Sequence, residues 1–66
     1  MSYKVKYMLF DRVGARLVPN KQYNYTIVSV KYTEDQNDMY TNVKDELSRV
    51  IGRPSTEFKV LSYSEV

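Results

Sequence analysis

Catalysis at neutral pH usually recruits histidine, cysteine or a carboxylate with a shifted pKa. This chain has no histidine and no cysteine, which also removes imidazole and thiolate metal sites and any disulfide. The carboxylates that cluster, Glu34, Asp35 and Asp38, fall at the start of an expected helix, where acids suit the macrodipole. Asp45 and Glu46 fall on its polar side. No spacing matches a calcium loop, and two glycines in the whole chain leave no phosphate-cradling loop. Serine or lysine catalysis needs a pocket, which so short a chain rarely encloses. The expectation is therefore a protein that is not an enzyme, with no catalytic, cofactor-binding or metal-ligating residues, no cofactor and no small-molecule substrate.

The chemistry that remains is that of rings and cations. Seven tyrosines, two phenylalanines and ten lysines and arginines can bind by apolar contact, stacking and charge, so the question becomes which elements present them.

Sixty-six residues make one domain spanning 1–66. A chain of this size buries only roughly 60% of the surface its unfolded form exposes, so efficient packing or support from a homo-oligomer or a permanent partner is expected. Its 42% hydrophobic content is too apolar for a disordered chain. No apolar run approaches the 20 or so residues that span a bilayer. The opening Met1-Ser2-Tyr3-Lys4 leads into charge alternation in place of the apolar stretch of a signal peptide. A cytoplasmic protein is expected.

Residues 3–10 alternate and are rich in strand formers, which predicts a first strand. Asp11-Arg12-Val13-Gly14 reads as a hairpin loop of three to five residues, with Gly14 supplying a positive φ. Residues 15–18 read as a short return strand stopped by Pro19, with Asn20-Lys21 as the next turn. Residues 22–32 give the strongest strand pattern. Thr33-Glu34-Asp35-Gln36 fits a capping box and opens a helix over 34–51. Its apolar stripe is Tyr40, Val43, Leu47, Val50 and Ile51, widened by Met39. Gly52 and Pro54 end it. Residues 56–63 make the last strand, with Phe58 and Val60 on one side and Leu61 and Tyr63 on the other.

The fold class is thus α+β: a small three- to four-stranded sheet in the order ββ-β-α-β, with one amphipathic helix packed on one face. The strands flanking the helix can run parallel, with the first strand inserted between them.

One helix covers one face. Val5, Tyr7, Leu9, Val28, Val30, Phe58 and Val60 are assigned to it. In a half-buried antiparallel sheet the second face is ordinarily polar. Here it holds Met8, Phe10, Tyr23, Tyr25, Ile27, Leu61 and Tyr63, interleaved with Lys4, Lys6, Lys31 and Lys59. These eleven residues form the candidate partner-binding set. Part of the excess can be explained without any partner, by loops folding over the face and by exposed tyrosine and lysine tips.

Charge is divided in the same way. Within 34–51 five acids meet two bases, a net of −3; elsewhere eight bases meet three acids, a net of +5. Arg12, Arg16 and Lys21 lie on or near the hairpin as a candidate basic rim. Such polarity steers anionic partners toward the sheet. In character the chain, very short, tyrosine-rich and free of cysteine, is similar to compact accessory proteins of bacteriophages and mobile elements. The likeness is one of composition and carries over no residue.

The leading expectation is a non-enzymatic protein-binding module, a small inhibitor, an adaptor or a subunit of an assembly, whose partner is another protein or a second copy of itself. The alternatives are a single-stranded nucleic-acid-binding protein using the same face and a self-associating structural protein. A membrane partner is not expected.

Overall fold

Strand-forming residues occupy both ends of the chain, and in the computed structural model, which describes residues 1–66, they meet in one antiparallel sheet. The elements are β1 (Ser2–Val13), β2 (Arg16–Ser29), α1 (Gln36–Ile51) and β3 (Phe58–Glu65), with one 3-10 turn at Ser55–Glu57 before β3. The strand order is β2-β1-β3. Because both outer strands run antiparallel to β1, they are parallel to each other, and α1 carries the chain between them. β1 is the central strand, inserted between the two strands that flank α1 as expected.

The strand count is three. The short return strand and the long strand expected on either side of Asn20-Lys21 are one continuous β2. Pro19 sits inside it, opposite Phe10. A proline is tolerated there because β2 is an edge strand and the ladder is irregular at that point. The pairing passes from Met8↔Tyr23 to Phe10↔Pro19, so two extra residues of β2 loop out opposite Leu9. The Asn20 side chain accepts from the Gln22 N–H at 3.0 Å, and Lys21 adopts φ +62°. The turn chemistry read from Asn20-Lys21 is present, but it makes a bulge. An insertion of two residues preserves the alternation, so odd-numbered side chains stay on the same face before and after it.

The hairpin loop is tighter than expected. Val13 pairs with Arg16, leaving only Gly14 (φ +63°) and Ala15 at the tip. β3 pairs with β1 only from Tyr3 to Leu9. Beyond Leu9 the hairpin continues as a two-stranded arm, which gives the molecule extents of 39 × 18 × 18 Å.

The helix begins two residues later than its capping-box pattern suggests. Asp35 is the N-cap, its carboxylate accepting from the N–H groups of Asn37 at 2.9 Å and Asp38 at 3.1 Å. A carboxylate at N-cap satisfies orphan donors as well as a threonine does and adds favourable charge at the positive end. Thr33 therefore lies outside. The C-terminal end follows expectation. Gly52 takes φ +69°, and both its N–H and that of Arg53 donate to the Ser48 carbonyl, at 3.0 and 3.2 Å, which is a Schellman-type closure.

The core lies between α1 and one sheet face. It comprises ten buried residues: Tyr3, Val5, Tyr7, Val28, Val30, Met39, Val43, Leu47, Phe58 and Val60, with Leu9, Ile51 and Tyr63 packed at its margin. Every residue assigned to the covered face belongs to this set. The helix stripe is corrected in phase. Met39, Val43 and Leu47 point inward, whereas Tyr40 and Val50 remain 38% and 45% exposed. No buried polar side chain lacks a hydrogen-bond partner. No helix is long and apolar enough to cross a membrane.

Candidate functional site

The face of β1 opposite α1 is built by alternation. Tyr3, Val5 and Tyr7 turn inward, so Lys4, Lys6, Met8, Phe10 and Arg12 turn outward. Register then selects the neighbours. On β2, Ile27 pairs with Lys4, Tyr25 with Lys6, and Tyr23 with Met8; on β3, Ser64 pairs with Lys4, Ser62 with Lys6, and Lys59 with Met8. No helix or loop covers this surface. Tyr23, Tyr25 and Ile27 are 61%, 56% and 61% exposed. The folding of loops over the face is not seen.

Three lanes result. The β2 lane is apolar and aromatic, the β1 lane begins with two lysines and continues with Met8 and Phe10, and the β3 lane is mainly serine with Lys59. The β1 and β2 lanes are joined by cation–π contacts. The Lys4 ammonium lies 5.0 Å from the Tyr25 ring centroid and that of Lys6 lies 4.4 Å from Tyr23. Each lysine thus leans diagonally over the ring next to its direct partner, within the reach of a favourable quadrupole interaction. The two salt bridges of the molecule, Arg49–Glu46 and Arg53–Glu57, are elsewhere. Lys4 and Lys6 therefore hold rings and no carboxylate, and Lys59 is in no salt bridge. None of the strand positions on the face is acidic, because Glu65 pairs opposite Tyr3 on the inward side and Asp11 opposite Val18 on the other side of the arm.

Nine of the eleven candidate residues are gathered on or bordering this face, and two are not. Tyr63 turns inward, for a local reason. The β1–β3 ladder shifts between Lys6↔Ser62 and Tyr7↔Val60, leaving Leu61 as one extra residue. A single insertion reverses the side-chain alternation downstream. Tyr63 therefore pairs with Val5, packs against the core and meets Tyr3 edge-on, with centroids 6.0 Å apart. Leu61 itself stays outside the core, 37% exposed. Lys31 lies beyond the end of β2 and lines an open cleft of about 550 Å³ between Ser29–Lys31 and the Asn42–Arg49 side of α1. The one mark in the sequence is the adjacent apolar pair Val60-Leu61 followed by Ser62, where period-two alternation changes phase; unbroken alternation leaves Tyr63 on the open face. The basic rim is also divided: Arg12 is on the open face, opposite Leu17, and Arg16 is on the reverse of the arm, opposite Val13.

Titration is perturbed away from this face. Burial, and secondarily the Glu65 carboxylate, pushes the Tyr3 phenol above its usual value. The hydrogen bond from Arg49 holds the Glu46 carboxyl below its usual range and raises the guanidinium in turn. No three carboxylates come together, and no buried polar side chain stands in the cleft.

With this geometry in hand, comparison with protein families, curated proteins and solved structures returns no significant match.

Proposed function

We propose that this protein is a non-enzymatic binding module that acts by stoichiometric contact with another protein, as an inhibitor, an adaptor or a subunit of an assembly. The observation that carries the reading is the uncovered face of the sheet, with Tyr23, Tyr25 and Ile27 each more than half exposed beside Met8 and Phe10. Tyrosine, phenylalanine and methionine are enriched in the buried centres of interfaces, and contiguous apolar surface on a small domain marks a contact site. The Tyr25→Ala/Phe10→Ala double variant tests this. Affinity capture from the native host, run in parallel with wild type and variant, is expected to recover a partner only with wild type. Circular dichroism of the variant is expected to stay native. Unfolding of the variant would assign both residues to the core and defeat the reading.

Single-stranded nucleic acid is a second reading, favoured by the lack of any carboxylate on the face and by its lysine–tyrosine stacks. It predicts affinity that falls steeply with salt. Anisotropy of a labelled oligonucleotide at two salt concentrations separates the two, since no binding at low salt removes it. Self-association through this face is disfavoured by charge, because two copies face to face would bring Lys4, Lys6 and Lys59 together with no acid between them. Sedimentation that shows a stable oligomer would reverse that argument.

A further inference from the structure

Resting on the protein-binding reading, we infer that the partner presents an acidic amphipathic helix, laid lengthwise along the β1 and β2 lanes of the open face.

Three observations lead there. The first is size. Strands about 4.8 Å apart with a rise of about 3.3 Å per residue give the three-stranded region, Tyr3 to Leu9, a footprint of about 14 × 23 Å. Its β1 and β2 lanes, which run on along the arm, are together about 10 Å wide, close to the width of one helix of about 10–12 Å.

The second is the two-lane layout. Tyr23, Tyr25 and Ile27 form an apolar row, and Lys4 and Lys6 form a cationic row directly beside it. A helix with an apolar stripe and acids along one flank of that stripe matches both rows at once. The periods agree as well. Alternate residues on a strand are about 6.6 Å apart, and residues i and i+4 of a helix are about 6 Å apart along its axis. Carboxylates on successive turns therefore reach Lys4 and Lys6 in turn.

The third is sign. The face carries Lys4, Lys6, Lys59 and Arg12 with no acid among its strand positions, and all the salt bridges are elsewhere. The lysines are already aligned over Tyr25 and Tyr23, so little side-chain freedom is lost when a carboxylate arrives. Apolar neighbours such as Ile27, Met8 and Leu61 offer a helix a surface to pack on, whereas they give a nucleotide base no ring to stack on. That favours the helix over a nucleic-acid strand.

The probes are two synthetic helix-forming 15-residue peptides with one identical leucine–phenylalanine stripe, flanked in one by glutamate and in the other by lysine, together with an oligothymidylate. Each is titrated into the isotope-labelled full chain and followed by amide chemical shifts. The glutamate peptide is expected to shift Lys4, Lys6, Tyr23, Tyr25 and Ile27, and to bind at least tenfold tighter than the lysine peptide. The Lys4→Glu/Lys6→Glu variant, checked for native shift dispersion, is expected to reverse that preference. Equal binding of the two peptides would overturn the acidic partner but leave protein binding through apolar contact standing. Failure of both peptides to shift these amides would overturn the helical occupant, with the capture experiment still deciding whether a protein binds. Tighter binding of oligothymidylate than of the glutamate peptide would overturn this inference and the protein-binding reading together.

Discussion

The ammonium of Lys6 lies 4.4 Å from the centroid of the Tyr23 ring, although its direct partner across the ladder is Tyr25. Lys4 repeats the arrangement one step along, leaning over Tyr25 although it is paired with Ile27. The twist of an antiparallel pair brings diagonal neighbours within reach of long side chains, so two lysines and two tyrosines form one repeated motif. At an exposed site each contact is worth about 0.5–1 kcal/mol.

A double-mutant cycle isolates that quantity. Lys6→Ala, Tyr23→Ala and the double variant, unfolded in urea, are expected to show a coupling of about 0.5–1 kcal/mol. The same cycle on Lys6 and Ile27 is expected to give a value near zero. A coupling no larger for Tyr23 than for Ile27 would remove the stacked motif.

The bulge at Leu61 makes opposite assignments for two residues that alternation puts side by side. Tyr63→Ala removes a half-buried ring and its edge-on contact with Tyr3, and is expected to cost about 1–3 kcal/mol of stability. Leu61→Ala is expected to cost less than about 1 kcal/mol, as for surface positions. Thermal melts of the two variants check this. Reversal of the order would mean that β3 pairs without the bulge.

Helix initiation offers a similar contrast. Asp35 caps two backbone N–H groups, so Asp35→Ala is expected to lose about 0.5–2 kcal/mol. Thr33→Ala, two residues outside the first turn, is expected to leave the urea midpoint almost unchanged. Equal losses would restore Thr33 as the cap.

Tyr3 makes stability sensitive to alkali. Its folded-state pKa is raised above the ordinary tyrosine value of 10.0, first by burial and then by Glu65. Once the pH passes 10, the unfolded chain gives up the phenolic proton first and therefore binds fewer protons than the folded one. Stability is then lost as pH rises from about 10 through the folded pKa, and the contribution is fully present below that window. Denaturation followed between pH 8 and 12 is expected to show this fall, and Tyr3→Phe is expected to flatten it. An unchanged slope in Tyr3→Phe would assign the alkaline loss to another group.

Much of the fold was legible in the residues because period-two alternation is a direct consequence of strand geometry. Val5, Tyr7, Val28, Val30, Phe58 and Val60 are all buried, as that period requires. Departures arise where one local signal admits two outcomes. Asn20-Lys21 supplies the left-handed residue that a bulge needs as much as a turn does. Thr33 and Asp35 both have a side-chain oxygen able to cap, and only the packing of Met39, Val43 and Leu47 selects the phase. The candidate face was legible as an excess of apolar side chains. The loss of Tyr63 from it was not, since the adjacent pair Val60-Leu61 is equally consistent with a strand apolar on both faces. Neither was the diagonal stacking of the lysines, which depends on the cross-strand register.

β1 has its two neighbours far away in sequence on one side and nearby on the other, and this orders the assembly of the domain. Its hairpin with β2 closes across only Gly14 and Ala15, whereas its ladder with β3 joins Tyr3 to Glu65 and Leu9 to Phe58. Loop-closure entropy rises with separation, and long-range pairings slow folding. The hairpin is then the natural early structure, one whose inward face waits for α1 and β3. During that interval Val5, Tyr7 and Val28 are as uncovered as Tyr25 and Ile27 remain afterwards. A hairpin without α1 would be apolar on both sides, so the packing of Met39, Val43 and Leu47 on it also removes a surface open to aggregation.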